Sequence, residues 1–298
     1  MAAMRAVTVL RLEDGRELAY AEFGDPRGAP VIGFHGTPGS SMQLAPFDAP
    51  ARAEHVRVIA PDRPGYAHST YDAHRRLIDW PRDVAELADH LGLDRFGVFG
   101  VSGGGPHAAA CAYALAPRLT GAVIVSGVAP PDTAGVLDHM MAMNRLNFTL
   151  ARQSSLFVLP VMAAMLFGMR HFPDQSLDML LRGLPEPDRR ILARREIADV
   201  LIAEAKQASR TAARAAAQDF ALFARPWRFQ LEDIAVPVHV WHGDADVNVP
   251  VSHGRAQADR IPNAKLHLCP GEGHMLFFEH AAEILSAAAG RPLTGETH

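Results

Sequence analysis

Apolar and polar residues alternate from Val7 to Leu12 and again from Glu17 to Phe23, on either side of Asp14-Gly15. That pattern predicts two paired strands joined by a tight turn. Val31-Ile32-Gly33-Phe34, Val56-Arg57-Val58-Ile59-Ala60, the run from Phe96 to Val101 and Ala122 to Val125 are instead short and almost wholly apolar. Such runs suit strands buried on both faces, and the Gly- and Pro-rich stretches after the first two mark strand ends where functional loops would follow. Trp80, Val84, Leu87, Ala88 and Leu91 recur at helical spacing, and Gly92 stops that helix. The alternation predicts an α/β fold: a mostly parallel sheet with helices on both faces.

From about Pro130 to Arg225 the pattern changes. The segment contains no convincing strand, holds seven of the eleven methionines, and includes the helix-favouring run Ala212 to Ala217. Strand patterns resume at Val238-His239-Val240-Trp241 and Lys265-Leu266-His267-Leu268, separated by a helix near Val251 to Arg260, and Leu276 to Ala289 is expected to close the chain as a helix. The expected organisation is a discontinuous core domain, residues 1–130 and 226–298, interrupted by a helical segment at 131–225. The longest apolar run, Leu156 to Met169, is shorter than a bilayer span and carries Pro160, so it predicts a buried or interfacial helix and no membrane span.

With 48% of its 298 residues apolar, the chain can bury a large core. A net charge of −4, with both signs mixed along the chain, offers no basic stripe for nucleic acid or anionic lipid. The residues from Met1 to Arg5 lack an export signal's apolar core, which sets a cytoplasmic expectation. Cys111 and Cys269 lie in apolar stretches and read as buried free thiols. The fifteen histidines include no H-E-x-x-H and no paired-cysteine spacing, so no metal site is expected. Phosphate- and dinucleotide-binding glycine motifs are also missing from the sequence, so no cofactor is expected.

Candidate chemistry centres on Gly100-Val101-Ser102-Gly103-Gly104, between the strand from Phe96 and a helix opening at Pro106. A corner that reverses between strand and helix leaves no room for a Cβ two residues before or after its apex, which explains G-x-S-x-G and exposes Ser102 as a candidate nucleophile. A serine hydroxyl needs a base, and the base needs a group to orient it. Asp244 and Asp246 follow one late strand and His274 follows the last. In a parallel sheet these strand ends share an edge with Ser102.

These motifs resemble those of the α/β-hydrolase superfamily across nearly the whole chain: H-G-T-P-G-S from His35 to Ser40, D-R-P-G from Asp62 to Gly65, the serine corner, G-x-x-D from Gly243 to Asp246, and Gly273-His274. The resemblance implies Ser102 as nucleophile, His274 as general base and Asp246 as the acid, with Asp244 its competitor and expected to be a turn residue bonded to its own backbone. It implies an oxyanion hole from the Thr37 and Gly103 N–H groups. His35 and Asp62 are expected to anchor loops, and His107 to be packed. The helical segment would form a cap, with Met140, Met141 and Phe167 offered to an apolar substrate. An uncharged small-molecule ester fits this reading best, while a peptidase, lyase, perhydrolase or carbon–carbon hydrolase, or a non-catalytic binding protein, stays open. So does the oligomeric state, a homodimer included.

Overall fold

Strand order decides where loops converge, and it comes from which apolar runs can bury both faces. The computed structural model describes residues 7–207 and 211–293. Among the described residues it contains one eight-stranded sheet: β1 (Thr8–Arg11), β2 (Glu17–Gly24), β3 (Ala29–Phe34), β4 (Val56–Pro61), β5 (Phe96–Val101), β6 (Leu119–Val125), β7 (Val238–Gly243) and β8 (Ala264–Cys269). Their spatial order is β1-β2-β4-β3-β5-β6-β7-β8. The hairpin β1–β2 forms around Asp14-Gly15, β2 pairs antiparallel with β4, and all remaining pairs are parallel.

The eleven α-helices among the described residues are α1 (Asp48–Ala53), α2 (Trp80–His90), α3 (Gly105–Ala114), α4 (Ala142–Gln153), α5 (Ser155–His171), α6 (Pro173–Arg182), α7 (Glu186–Leu192), α8 (Arg195–Gln207), α9 (Ala212–Phe223), α10 (Val251–Arg260) and α11 (Ala281–Ala288). The two-residue period of β5 divides the core. Phe96 and Val98 pack in the cluster that holds Leu87 of α2 and Ala108 of α3, whereas Phe99 and Val101 join the cluster that holds Ala51 of α1 and Ile284 of α11. Helices α4 to α9 lie between β6 and β7 in sequence, and Phe148, Val158, Met162, Ala216 and Phe220 supply much of their own apolar cluster.

The chain leaves β3 toward β4 and leaves β5 toward β6, in opposite directions along the sheet. A crevice therefore opens beyond the ends of β3 and β5, as open α/β sheets require at a switch point. Register aligns Phe34 with Gly100, Val101 with Val125, Val125 with Trp241, and Gly243 with Cys269. The loops that begin at His35, Ser102, Ser126, Asp244 and Pro270 consequently share one edge.

Two details differ from the sequence expectation. The closing helix is split into a 3-10 helix at His274–Phe278 and α11, with the chain leaving helical dihedrals at His280 (φ −100°, ψ 23°). A 3-10 helix at Ser41–Phe47 and α1 also follow the H-G-T-P-G-S loop, where Pro46 and Pro50 mask any helical period.

The corner at Ser102 makes this packing testable. A Cβ on Gly100 would overlap the Gly104 carbonyl, and one on Gly104 would overlap the Phe34 carbonyl, so neither clash can be relieved by a side-chain rotation. Gly100→Ala should lower the unfolding free energy by about 3 kcal/mol. Urea denaturation checks this, and a loss below about 0.5 kcal/mol would contradict the packing.

Candidate active site

Ser102 takes a left-handed backbone (φ 54°) at the start of a 3-10 turn, Ser102–Gly104, that runs directly into α3. A non-glycine residue in this region costs about 1–2 kcal/mol, a strain that the Gly100 and Gly104 contacts enforce. The side chain is partly exposed at the crevice. Thr37 abuts the corner: its Cβ lies 2.8 Å from where a Cβ on Gly103 would sit. Among the described residues the Thr37 N–H has no main-chain acceptor. The Gly103 N–H lies in the first turn, where helical acceptors are lacking.

Asp246 and His274 are brought together from the ends of β7 and β8. His274 Nδ1 is 2.7 Å from Asp246 Oδ2, and both residues are buried. The other carboxylate oxygen accepts the N–H groups of Asn248 (2.8 Å) and Val249 (2.9 Å), while His242 Nε2 stands 3.5 Å from Oδ2. Burial alone would raise the Asp246 carboxyl, but the charge of His274 and the bonds from His242 and His274 hold it well below the usual carboxylate range. For His274, burial disfavours the cation; the charge and hydrogen bond of Asp246, with the charge of Asp188, outweigh it and raise the imidazole.

Asp244 is exposed, and its Oδ1 accepts the N–H of Gly271 at 2.7 Å. It thus ties two loops together and does not bond its own turn, which corrects the expected partner. Among the described residues Ser102 Oγ makes no hydrogen bond, so the hydroxyl and the His274 ring share the edge without being joined. Hydrogen bonds of this kind commonly tighten only when substrate binds.

The flanking loops are held by buried polar groups. His35 Nδ1 donates to the Gly36 carbonyl (2.8 Å), which leaves Nε2 to accept the Arg63 N–H (3.1 Å). Asp62 accepts the Ser41 N–H at 2.6 Å, and burial pushes its carboxyl up to about 6. Arg63 donates to the carbonyls of His35 and Gly36, to Thr37 Oγ1 (2.8 Å) and to Asp219 (2.9 Å). His107 is packed between Trp80 and Phe223, with Nδ1 bonded to the Gly103 carbonyl at 2.9 Å.

Four residues near the site carried no signal in the sequence. Asp219 of α9 is fully buried and accepts from Thr37, Arg63, Arg75 and Tyr66. Glu204 of α8 accepts the Ser40 hydroxyl at 2.8 Å, and desolvation pushes it up to about 8. Gln43 accepts the Gly36 N–H at 2.5 Å beside Ser102. Asp188 of α7 accepts the N–H groups of His274 (3.0 Å) and Met275 (2.8 Å), which caps the 3-10 helix that begins at His274. Its carboxylate fills the space a Cβ on Gly273 would need. Asp219, Glu204 and Asp188 are lone polar residues on helices whose partners lie far away in sequence, whereas Gln43 reaches back only seven residues, to Gly36.

Compared with protein families, residues 29–281 match the alpha/beta hydrolase fold. The chain belongs to this family. A 2-hydroxy-6-oxo-6-phenylhexa-2,4-dienoate hydrolase of Burkholderia cepacia is 31% identical over 86% of this chain and 84% of its own length. A proline iminopeptidase of Xanthomonas citri is 35% identical, but the match spans 39% of this chain and 37% of that protein. Among solved structures, a hydrolase of Pseudomonas aeruginosa superposes with a TM-score of 0.69 at 21% identity, covering 94% of this chain and 96% of that one.

This α/β hydrolase distributes its three candidate substrate contacts unevenly. Met140 is buried in the cluster with Tyr66, Val128 and Phe148. Met141 is half-buried, and its N–H donates to the Val247 carbonyl at 2.7 Å. Phe167 is 58% exposed, its ring against His171 and Phe172 on the outer side of α5 and the turn after it, so it does not line an enclosed pocket. The aromatic neighbours that cover it lie along its own segment, not across the crevice. A polar groove of about 380 Å³ between Arg16, Arg75, Arg76, Trp80 and His107 contains neither Ser102 nor His274. No helix among the described residues is long and apolar enough to cross a membrane.

Asp188 gives the electrostatic argument a direct check. Removing its charge while keeping its shape, in Asp188→Asn, should make His274 easier to deprotonate, so the imidazole titrates at lower pH. Histidine ring resonances followed through a pH series would report this. An unchanged or raised His274 titration would contradict it.

Proposed function

We propose that this hydrolase cleaves an uncharged carboxylic ester with an apolar acyl or alcohol group, through an acyl-enzyme on Ser102. The observation that carries the proposal is the buried 2.7 Å contact between Asp246 and His274 at the sheet edge where the strained Ser102 corner also projects. Asp246 accepts a hydrogen bond from Nδ1–H, which leaves Nε2 as the basic nitrogen. In the first step Ser102 Oγ attacks the ester carbonyl while His274 Nε2 takes the hydroxyl proton. The imidazolium then returns that proton to the departing alcohol. Water repeats the sequence on the acyl-enzyme, releasing the acid and regenerating Ser102.

Negative charge that gathers on the carbonyl oxygen meets the Thr37 and Gly103 N–H groups. Thr37 is held for that role through its hydroxyl, which donates to Asp219 (2.9 Å) and accepts from Arg63 (2.8 Å). Two buried guanidiniums, Arg63 and Arg75, pair with the Asp219 carboxylate beneath this loop and fix the position of Thr37 through Arg63 and Asp219. In this reading residues 131–225 form the cap, Met140 and Met141 supply apolar contact, and the substrate is a small molecule. A second reading, hydrolysis of an oxo-dienoate by the same residues, is favoured by the Burkholderia relative.

Nitrophenyl esters of increasing acyl length separate the two. Wild-type turnover should exceed that of Ser102→Ala by several orders of magnitude, and Asp246→Asn should fall by up to ~10⁴ while Asp244→Asn stays near wild type. Because His274 must be neutral to accept a proton and its imidazole is raised above 6.5, kcat/KM should fall on acidification with a limb above that value. Ester turnover equal to that of Ser102→Ala would overturn the proposal, and turnover of an oxo-dienoate alone would favour the second reading.

A further inference from the structure

On the loop that carries His274, but using other residues, three ligand-bearing side chains converge. Cys269 ends β8 and is buried, Glu272 lies in the following turn, and His280 precedes α11. The cysteine sulfur, a Glu272 oxygen and a His280 ring nitrogen all lie within 4.8 Å of one another. His280 Nε2 is 3.0 Å from both Glu272 oxygens, and its Nδ1 is 3.9 Å from Glu283. Ligands bound tetrahedrally at 2.0–2.3 Å stand about 3.3–3.8 Å apart, so small side-chain rotations would close the set around one ion. The main chain beneath is already tied: Glu272 N–H donates to the Cys269 carbonyl (3.3 Å), and the Glu272 carbonyl accepts from Ala245 (2.9 Å).

The local field points the same way. Glu272 and Glu283 both face the His280 ring, and Asp244 is held to the neighbouring Gly271 N–H at 2.7 Å. Three carboxylates therefore gather around this turn, with His280 bonded to one of them. A divalent cation would reverse this imbalance.

We infer that Cys269, Glu272 and His280 form a binding site for a divalent ion of the zinc class, with water as the fourth ligand. Binding forms metal bonds to sulfur, oxygen and nitrogen. The Cys269 proton leaves to solvent, and His280 binds through Nε2 with its remaining proton on Nδ1, facing Glu283 as the outer partner. The spacing C-x₂-E-x₇-H matches no familiar metal motif, which is why no metal site is expected from the sequence. Borderline and soft metals suit a thiolate with an imidazole, whereas magnesium and calcium prefer all-oxygen sets.

The test uses the full chain and needs no turnover, so it stands or falls apart from the ester reading. Zn²⁺ titrated in a calorimeter should bind once per chain. Co²⁺ added in its place should give a thiolate-to-metal charge-transfer band. Cys269→Ser should abolish that band, and His280→Gln should weaken Zn²⁺ binding by at least about tenfold, with circular dichroism confirming that each variant is folded. If Cys269→Ser does not fold, the wild-type band together with the His280→Gln loss decides. No saturable Zn²⁺ binding, a Co²⁺ complex without the band, or unchanged affinity in His280→Gln would overturn the site.

Discussion

A carboxylate sealed from water is tolerable only when charge and hydrogen bonds compensate its lost hydration, and Asp219 receives both from four directions. Desolvation would raise its carboxyl, yet Arg75 and Arg63 hold it well below the usual range. The arrangement matters because its members come from separate parts of the chain: Thr37 from the loop after β3, Arg63 and Tyr66 from the loop after β4, Arg75 further on, and Asp219 from α9. If one partner is lost, a buried charge is left without compensation. The interaction thereby joins the inserted helices to the loop that borders the Ser102 corner.

A similar device operates on the opposite side of the crevice. Asp188, also from the inserted helices, holds the main chain at His274, while Asp246 from the β7 loop holds its ring. His274 is thus held at its main chain by one carboxylate and at its ring by another, and the two come from different parts of the chain. Since these carboxylates share the task of stabilising the cation, the position of α7 bears on the proton affinity of His274 as well as its orientation. The helical segment is therefore coupled electrostatically to the candidate site besides packing beside it.

Legibility from sequence followed the range of the interaction. Buried strands, the hairpin, the helix after β4 and the serine corner are local, since each is set by a short apolar run, a glycine requirement or a periodic stripe. Ser102, His274 and the pair Asp244 and Asp246 could be picked out because each follows such a strand, and the choice of Asp246 within the pair rests on the resemblance of Gly243 to Asp246 to the G-x-x-D motif. Asp188, Glu204 and Asp219 could not, as their partners lie 86, 164 and up to 182 residues away and nothing near them marks the contact. The same limit explains Asp244, whose partner Gly271 belongs to the next strand's loop, and Phe167, whose outward placement depends on how α5 packs against its neighbours. Apolar character marks a residue as able to be buried, and tertiary packing decides whether it is.

The central claim is that the Ser102 hydroxyl, the His274–Asp246 pair and the Thr37 and Gly103 N–H groups act on one carbonyl carbon. A crystal structure of the protein after reaction with a fluorophosphonate measures this most directly. The account predicts phosphorus bonded to Ser102 Oγ, with the phosphoryl oxygen about 2.7–3.1 Å from both N–H groups and the His274 ring turned toward the Ser102 oxygen. Phosphorus on another residue, or a phosphoryl oxygen directed away from Thr37 and Gly103, would contradict it.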